Sequence, residues 1–138
     1  GFLIYYGKKN EYGKKFVSSG NPVSVPKKPE SFSIVLNEQN GSGQSGIAII
    51  EAKNDIVTVK IRLVGALPGI SQPAYIYSGN CKSIGEKKFP IVPLVNGESE
   101  TNVIATWDEI VKASPIVLGI HKSAEEENVF TACGRVLP

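Results

Sequence analysis

The sequence predicts an all-β domain, a sandwich or barrel of short strands with one short helix. From Phe32 onward, short apolar runs alternate with turn-forming residues about every 8 to 12 positions, the spacing of small β architectures. In the run 56–64, Val57, Val59, Ile61 and Leu63 alternate with Thr58, Lys60 and Arg62, which gives one buried and one wet face. A chain of 138 residues that is 41% apolar has material for one core but not for two.

Along the chain, residues 1–6 (Gly1-Phe2-Leu3-Ile4-Tyr5-Tyr6) form an apolar run that ends in tyrosines and is followed by Lys8-Lys9. It reads as the stub of an N-terminal membrane anchor, because six residues cannot span about 30 Å of hydrocarbon. The alternatives are an edge strand, or a strand given to a neighbouring subunit. The chain contains no methionine, so its initiator and whatever preceded Gly1 are expected to be missing. Residues 7–31, with Gly7, Gly13, Gly20, Pro22, Pro26 and Pro29 among serines and lysines, have no sustained periodicity and read as a flexible linker. Residues 32–138 form the folded domain, with strands expected at 32–37, 46–52, 56–64, 73–78, 99–105, 115–121 and 129–136. Thr106 and Glu109 have capping-box spacing, which predicts a short crossover helix over 106–112.

Charge divides the same way. Residues 1–29 carry six lysines against Glu11, a net +5, and the chain's total of +2 leaves the body at −3. Those lysines lie in a Pro/Gly/Ser-rich stretch rather than on a patterned face with aromatics between them, which argues against nucleic-acid binding. Lysines beside an anchor ordinarily favour the cytoplasmic side. The cysteines argue the other way and carry more weight than two Lys pairs.

Cys81 and Cys133 are even in number, far apart and without a Cys or His at zinc-ligand spacing, so they read as a disulfide. Such a bond persists in an oxidising compartment, which places the domain outside the cytoplasm, at a cell surface or in a periplasm. Closing a loop of about fifty residues constrains the unfolded chain by about 4 kcal/mol in the entropy model. Gly41-Ser42-Gly43-Gln44-Ser45-Gly46 matches a dinucleotide-binding pattern, but Ile47 to Ile50 after it read as a strand, so it is a hairpin turn. Asn40-Gly41-Ser42 is a glycosylation sequon. His121 is the single histidine, which excludes an imidazole-rich metal site by counting and leaves little basis for a catalytic triad. Glu125-Glu126-Glu127 reads as a solvated turn rather than a cation site.

Gly43 to Ala48, Leu67-Pro68-Gly69, the segment 72–81 (Gln-Pro-Ala-Tyr-Ile-Tyr-Ser-Gly-Asn-Cys), Gly119 to Glu126 and Thr131-Ala132-Cys133-Gly134 resemble Cu/Zn superoxide dismutase. They look closer still to bacterial superoxide-dismutase-like proteins with the chordin-type CHRD domain. The resemblance runs over about 32–136 and implies an eight-stranded Greek-key sandwich or barrel, with Cys81 and Cys133 at the family's intrasubunit disulfide.

The family's functional residues carry over poorly. Tyr75 and Tyr77 stand where the resemblance places two copper-ligand histidines, and His121 stands at a third. Neutral phenol is a poor copper ligand beside imidazole. Lys82 to Pro90 hold no histidine or aspartate where the family's zinc ligands occur, and Phe130 stands at the guiding arginine. Superoxide dismutation needs a metal that cycles between oxidation states and a positive funnel for the anion. The expectation is therefore a pseudoenzyme: a non-enzymatic, membrane-anchored, extracytoplasmic module whose Tyr75, Tyr77 and His121 pack together. Its partner would be an unidentified protein or envelope component, and no cofactor is expected. Two alternatives stand beside it: a diverged copper-binding or superoxide-handling protein that uses His121, and a structural subunit assembling by strand addition.

Overall fold

The computed structural model describes residues 31–138, so the readings of an anchor at 1–6 and of a linker at 7–31 lie outside it, except for Ser31, which begins the first strand rather than ending a linker. Alternation dictates the architecture. In β1 (Ser31–Glu38), β2 (Ser45–Lys53) and β3 (Ile56–Val64), every second side chain turns inward: Ile34 and Leu36, then Ala48, Ile50 and Ala52, then Val57, Val59, Ile61 and Leu63. The outward set is mostly polar, with Val35, Ile47, Ile49, Ile56 and Val64 as exceptions.

Five more strands complete the wall: β4 (Ser71–Asn80), β5 (Ser83–Val95), β6 (Glu98–Ile104), β7 (Ile116–His121) and β8 (Phe130–Leu137). All neighbours are antiparallel, and they close a barrel in the order β1-β2-β3-β6-β5-β4-β7-β8. The connection from β3 to β4 and the one from β6 to β7 each pass two strands by. Pairing is thin at two places. β5 and β6 share only Val95↔Glu98, and β1 meets β8 only through Asn37↔Cys133 and Glu38↔Ala132. The barrel is thus two four-stranded halves, β1-β2-β3-β6 and β5-β4-β7-β8, joined at two corners.

The expected strands coincide with β1–β4 and β6–β8, and the all-β class and the disulfide hold as expected. The remaining strand, β5, was not anticipated, because Gly85, Pro90 and Pro93 break its alternation and most of its side chains are exposed. Register shifts along β4 against β5 show the same irregularity. The segment after Cys81 is consequently a tight turn and a strand. Asn80 Oδ1 accepts from the amides of Lys82 and Ser83, each at 2.9 Å, and turns the chain. At the next hairpin, Asn96 (φ 54°) and Gly97 (φ 77°) supply the two left-handed residues a two-residue turn needs.

The barrel's two ends are closed differently. Over one lies α1 (Trp107–Lys112), capped as expected: Thr106 accepts from the Glu109 amide while the Glu109 side chain accepts from the Thr106 amide. Its Ile110 enters the core, and Trp107 meets Phe32 edge-to-face at 5.8 Å. The other end, where the β1–β2 turn and the start of β4 meet β7 and β8, is closed by polar side chains.

Inside and outside positions should respond oppositely. Leu36→Ala, at a fully buried site, is expected to cost about 2–5 kcal/mol in urea unfolding. Val35→Thr, next to it but 62% exposed, is expected to stay within about 0.5 kcal/mol. Equal losses at the two positions would mean that the alternation has been misassigned.

Candidate functional site

A barrel strand ordinarily has one wet face, yet all six residues of β7 are buried. Ile116, Leu118 and Ile120 face the main core, while Val117, Gly119 and His121 face outward. Register places Tyr75 opposite Gly119 and Tyr77 opposite Val117, so these residues share that outer face. Tyr77, Val117 and Cys133 form a second buried cluster there, flanked by Tyr75, Cys81, Ile84 and Phe130. The structure therefore brings together all three residues at the expected copper-ligand positions, with both cysteines beside them.

The disulfide is formed: Cys81, just past β4, is bonded to Cys133 in β8 with a Cα separation of 5.9 Å. It ties the turn after β4 down over the outer cluster. Gly119 is required beneath it, since a Cβ there would lie 2.8 Å from the Phe130 ring and 3.2 Å from the Tyr77 ring. The rings pack directly on the β7 backbone. Tyr77 and Phe130 are edge-on at 5.6 Å, His121 and Phe130 lie 4.4 Å apart, and Tyr75 meets both Tyr77 (5.9 Å) and His121 (6.1 Å) edge-on. On the solvent side, Lys87 Nζ sits 4.1 Å from the centre of the Tyr75 ring.

Hydrogen bonds fix the state of His121. Its Nδ1 contacts the backbone carbonyl of Glu127, an acceptor only, so Nδ1 carries the proton and donates. In the neutral ring, Nε2 is then the acceptor, and the Tyr77 hydroxyl donates to it at 2.5 Å. Burial lowers the His121 pKa from 6.5, aided by Lys87, and outweighs the opposing pull of the Glu127 carbonyl and carboxylate. Burial, together with Tyr75 and Glu127, pushes the Tyr77 phenol up to about 12. Both groups are thus held neutral.

This donor set does not suit copper. The one imidazole lone pair is covered by a phenol proton, that phenol resists ionisation, and Tyr75 adds only a second phenol. Among the described residues, no three His, Cys, Asp or Glu side chains come together. Glu125, Glu126 and Glu127 are exposed, and Glu126 pairs with Lys122 at 3.2 Å. Asn40 Nδ2 donates to the Phe130 carbonyl at 2.9 Å at an exposed turn. No family model, curated protein or solved structure matches the chain.

A second polar group was not read from the sequence. Gln72 is 1% exposed on the inner face of β4, at the end away from α1. Its Nε2 faces Gln44 Oε1 (2.9 Å), the His121 carbonyl (3.0 Å) and Thr131 Oγ1 (3.3 Å). Its Oε1 has no partner. Leaving a buried acceptor unpaired costs about 1–3 kcal/mol. The available signal was a polar residue at an inward strand position.

The two shifts set a window of stability. His121 is depressed in the fold, so its contribution is complete above the unfolded value of 6.5 and falls away as pH drops below it. Tyr77 is raised, so its contribution is complete below the unfolded value of 10.0 and is lost as pH climbs towards 12. Ultraviolet titration is expected to show one phenol ionising near pH 12, a component missing from Tyr77→Phe. Melting temperature should fall more steeply from pH 7 to pH 5 in the parent than in His121→Phe. Matching slopes would show that the imidazole is not the source of the acid sensitivity.

Proposed function

We propose that the chain is a non-enzymatic, extracytoplasmic domain of the Cu/Zn superoxide dismutase-like superfamily, of the CHRD type, tethered to a membrane and serving a binding or envelope role. One observation carries the reading: both nitrogens of the single histidine at the degenerate copper position are engaged in holding the fold together. An imidazole that packs as an internal strut has no lone pair to offer a metal.

Other features support the lineage and the location. The strand order, with two connections that each pass two strands by, suits a Greek-key barrel of the dismutase type. The Cys81–Cys133 bond suits an oxidising compartment. Among the described residues no helix is long and apolar enough to cross a membrane, so the proposed tether rests on the apolar run Gly1 to Tyr6.

The test is elemental analysis after loading with copper and zinc and desalting, paired with melting in the presence and absence of a chelator. The expected outcome is near-zero metal and unchanged melting. One copper per chain, retained on desalting and lost in His121→Ala, would replace this reading with that of a copper-handling protein.

The thin β5–β6 corner favours a second reading, a structural subunit that assembles by strand addition. Beyond Glu98, β6 is tied to β5 only by side-chain bonds between Ser99 or Thr101 and the Val92 backbone, and Ile104 at its end is 78% exposed. Light scattering that gives a monomer mass at every concentration would eliminate it.

A further inference from the structure

We propose that Tyr77 and His121 form a metal-free one-electron redox site, in which a diffusible radical oxidant takes an electron from the Tyr77 phenol while the phenol proton passes to His121 Nε2. The Tyr77 O–H bond breaks and an N–H bond forms on the imidazole. The electron leaves to an oxidant such as an organic peroxyl radical, which takes up a proton from water and departs as the hydroperoxide. A neutral phenoxyl radical is left beside an imidazolium. A one-electron reductant such as an enediol returns the electron, and the proton goes back to the phenol oxygen. The site is stoichiometric and goes beyond the binding role proposed above.

The wiring of the pair carries the inference. The Tyr77 hydroxyl donates to Nε2 at 2.5 Å, and Nδ1 is committed as a donor to the Glu127 carbonyl, so the imidazole lone pair faces the phenol proton. Tyr77 is 4% and His121 3% exposed, which leaves the imidazole as the base at hand. A phenol pushed up to about 12 keeps its proton at neutral pH, so proton and electron leave together, the proton to the positioned base. After the transfer Nε2–H donates back to the phenoxyl oxygen and Nδ1 keeps its carbonyl, so no packed atom has to move. Burial disfavours the imidazolium, which sends the proton home once an electron returns.

Two further observations point the same way. The half-buried ring of Tyr75 lies 5.9 Å from that of Tyr77, with Lys87 Nζ 4.1 Å from its centre, and gives the electron a short path towards solvent. The chain contains no methionine and its two cysteines are joined, so the sulfur groups that ordinarily absorb oxidising equivalents are missing. Aromatic rings are then the oxidisable groups, and Tyr77 is the one with a base on its hydroxyl.

The test is flash photolysis of the full chain, stripped of metal by a chelator, with tris(bipyridine)ruthenium(III) generated in place as the oxidant and phenoxyl absorbance followed. The component that Tyr77→Phe removes belongs to Tyr77 and is separated in this way from the other tyrosines and Trp107. That component is expected in the parent, slower in heavy water, and about a hundredfold slower in His121→Gln, because glutamine accepts and donates hydrogen bonds but is no base. A purely structural histidine predicts the parent rate in His121→Gln. If that variant does not fold, electron-nuclear double resonance on the trapped parent radical decides: one exchangeable proton hydrogen-bonded to the phenoxyl oxygen is expected. The inference is overturned if Tyr77→Phe removes no component, if heavy water leaves the rate unchanged, if His121→Gln is oxidised as fast as the parent, or if the radical carries no such proton. Metal content enters none of these signals, so this site and the degenerate copper position are tested separately.

Discussion

The burial of β7 on both faces is the constraint from which the rest of the molecule follows. An all-apolar inner face is satisfied by the barrel core, but an outer face of Val117, Gly119 and His121 would be exposed unless something lies over it. The chain covers it with Tyr77, Phe130, the disulfide and the loop 122–129. Each of these needs the others: the rings need the missing Cβ at Gly119, and the loop is held by the Nδ1 proton of His121. The outer cluster is thus a second core built against the first through a single strand.

Much of the barrel could be read from the residues alone, because alternation at 56–64 and punctuation by glycine and asparagine are local signals. The helix was legible from Thr106 and Glu109 for the same reason. β5 was not, since its prolines and lysines hide a strand that is stabilised by pairing with β4 rather than by its own burial pattern. Asn96-Gly97 was the missed clue: a two-residue turn with both residues left-handed implies a strand before it as well as after.

At the outer site, the sequence supplied the cast but not the wiring. Tyr75, Tyr77 and His121 could be grouped, and the cysteine pair could be read by counting. That the Glu127 carbonyl meets His121, or that Phe130 stacks on its ring, depends on how an eight-residue loop returns to the barrel, for which sequence spacing gives no signal. Gln72 is a sharper case. An inward glutamine breaks the apolar pattern of β4, and its significance emerges only when Gln44 and Thr131, distant in the chain, arrive beside it.

The hydrogen bonds through His121 run in one direction, from phenol to imidazole to carbonyl. A side chain at position 121 must accept at one end, donate at the other, hold both groups in one plane and remain uncharged. Neutral histidine meets all four demands, whereas phenylalanine meets none of the polar ones. A histidine in such a place serves as a spacer of fixed length and polarity between the Tyr77 hydroxyl and the Glu127 carbonyl.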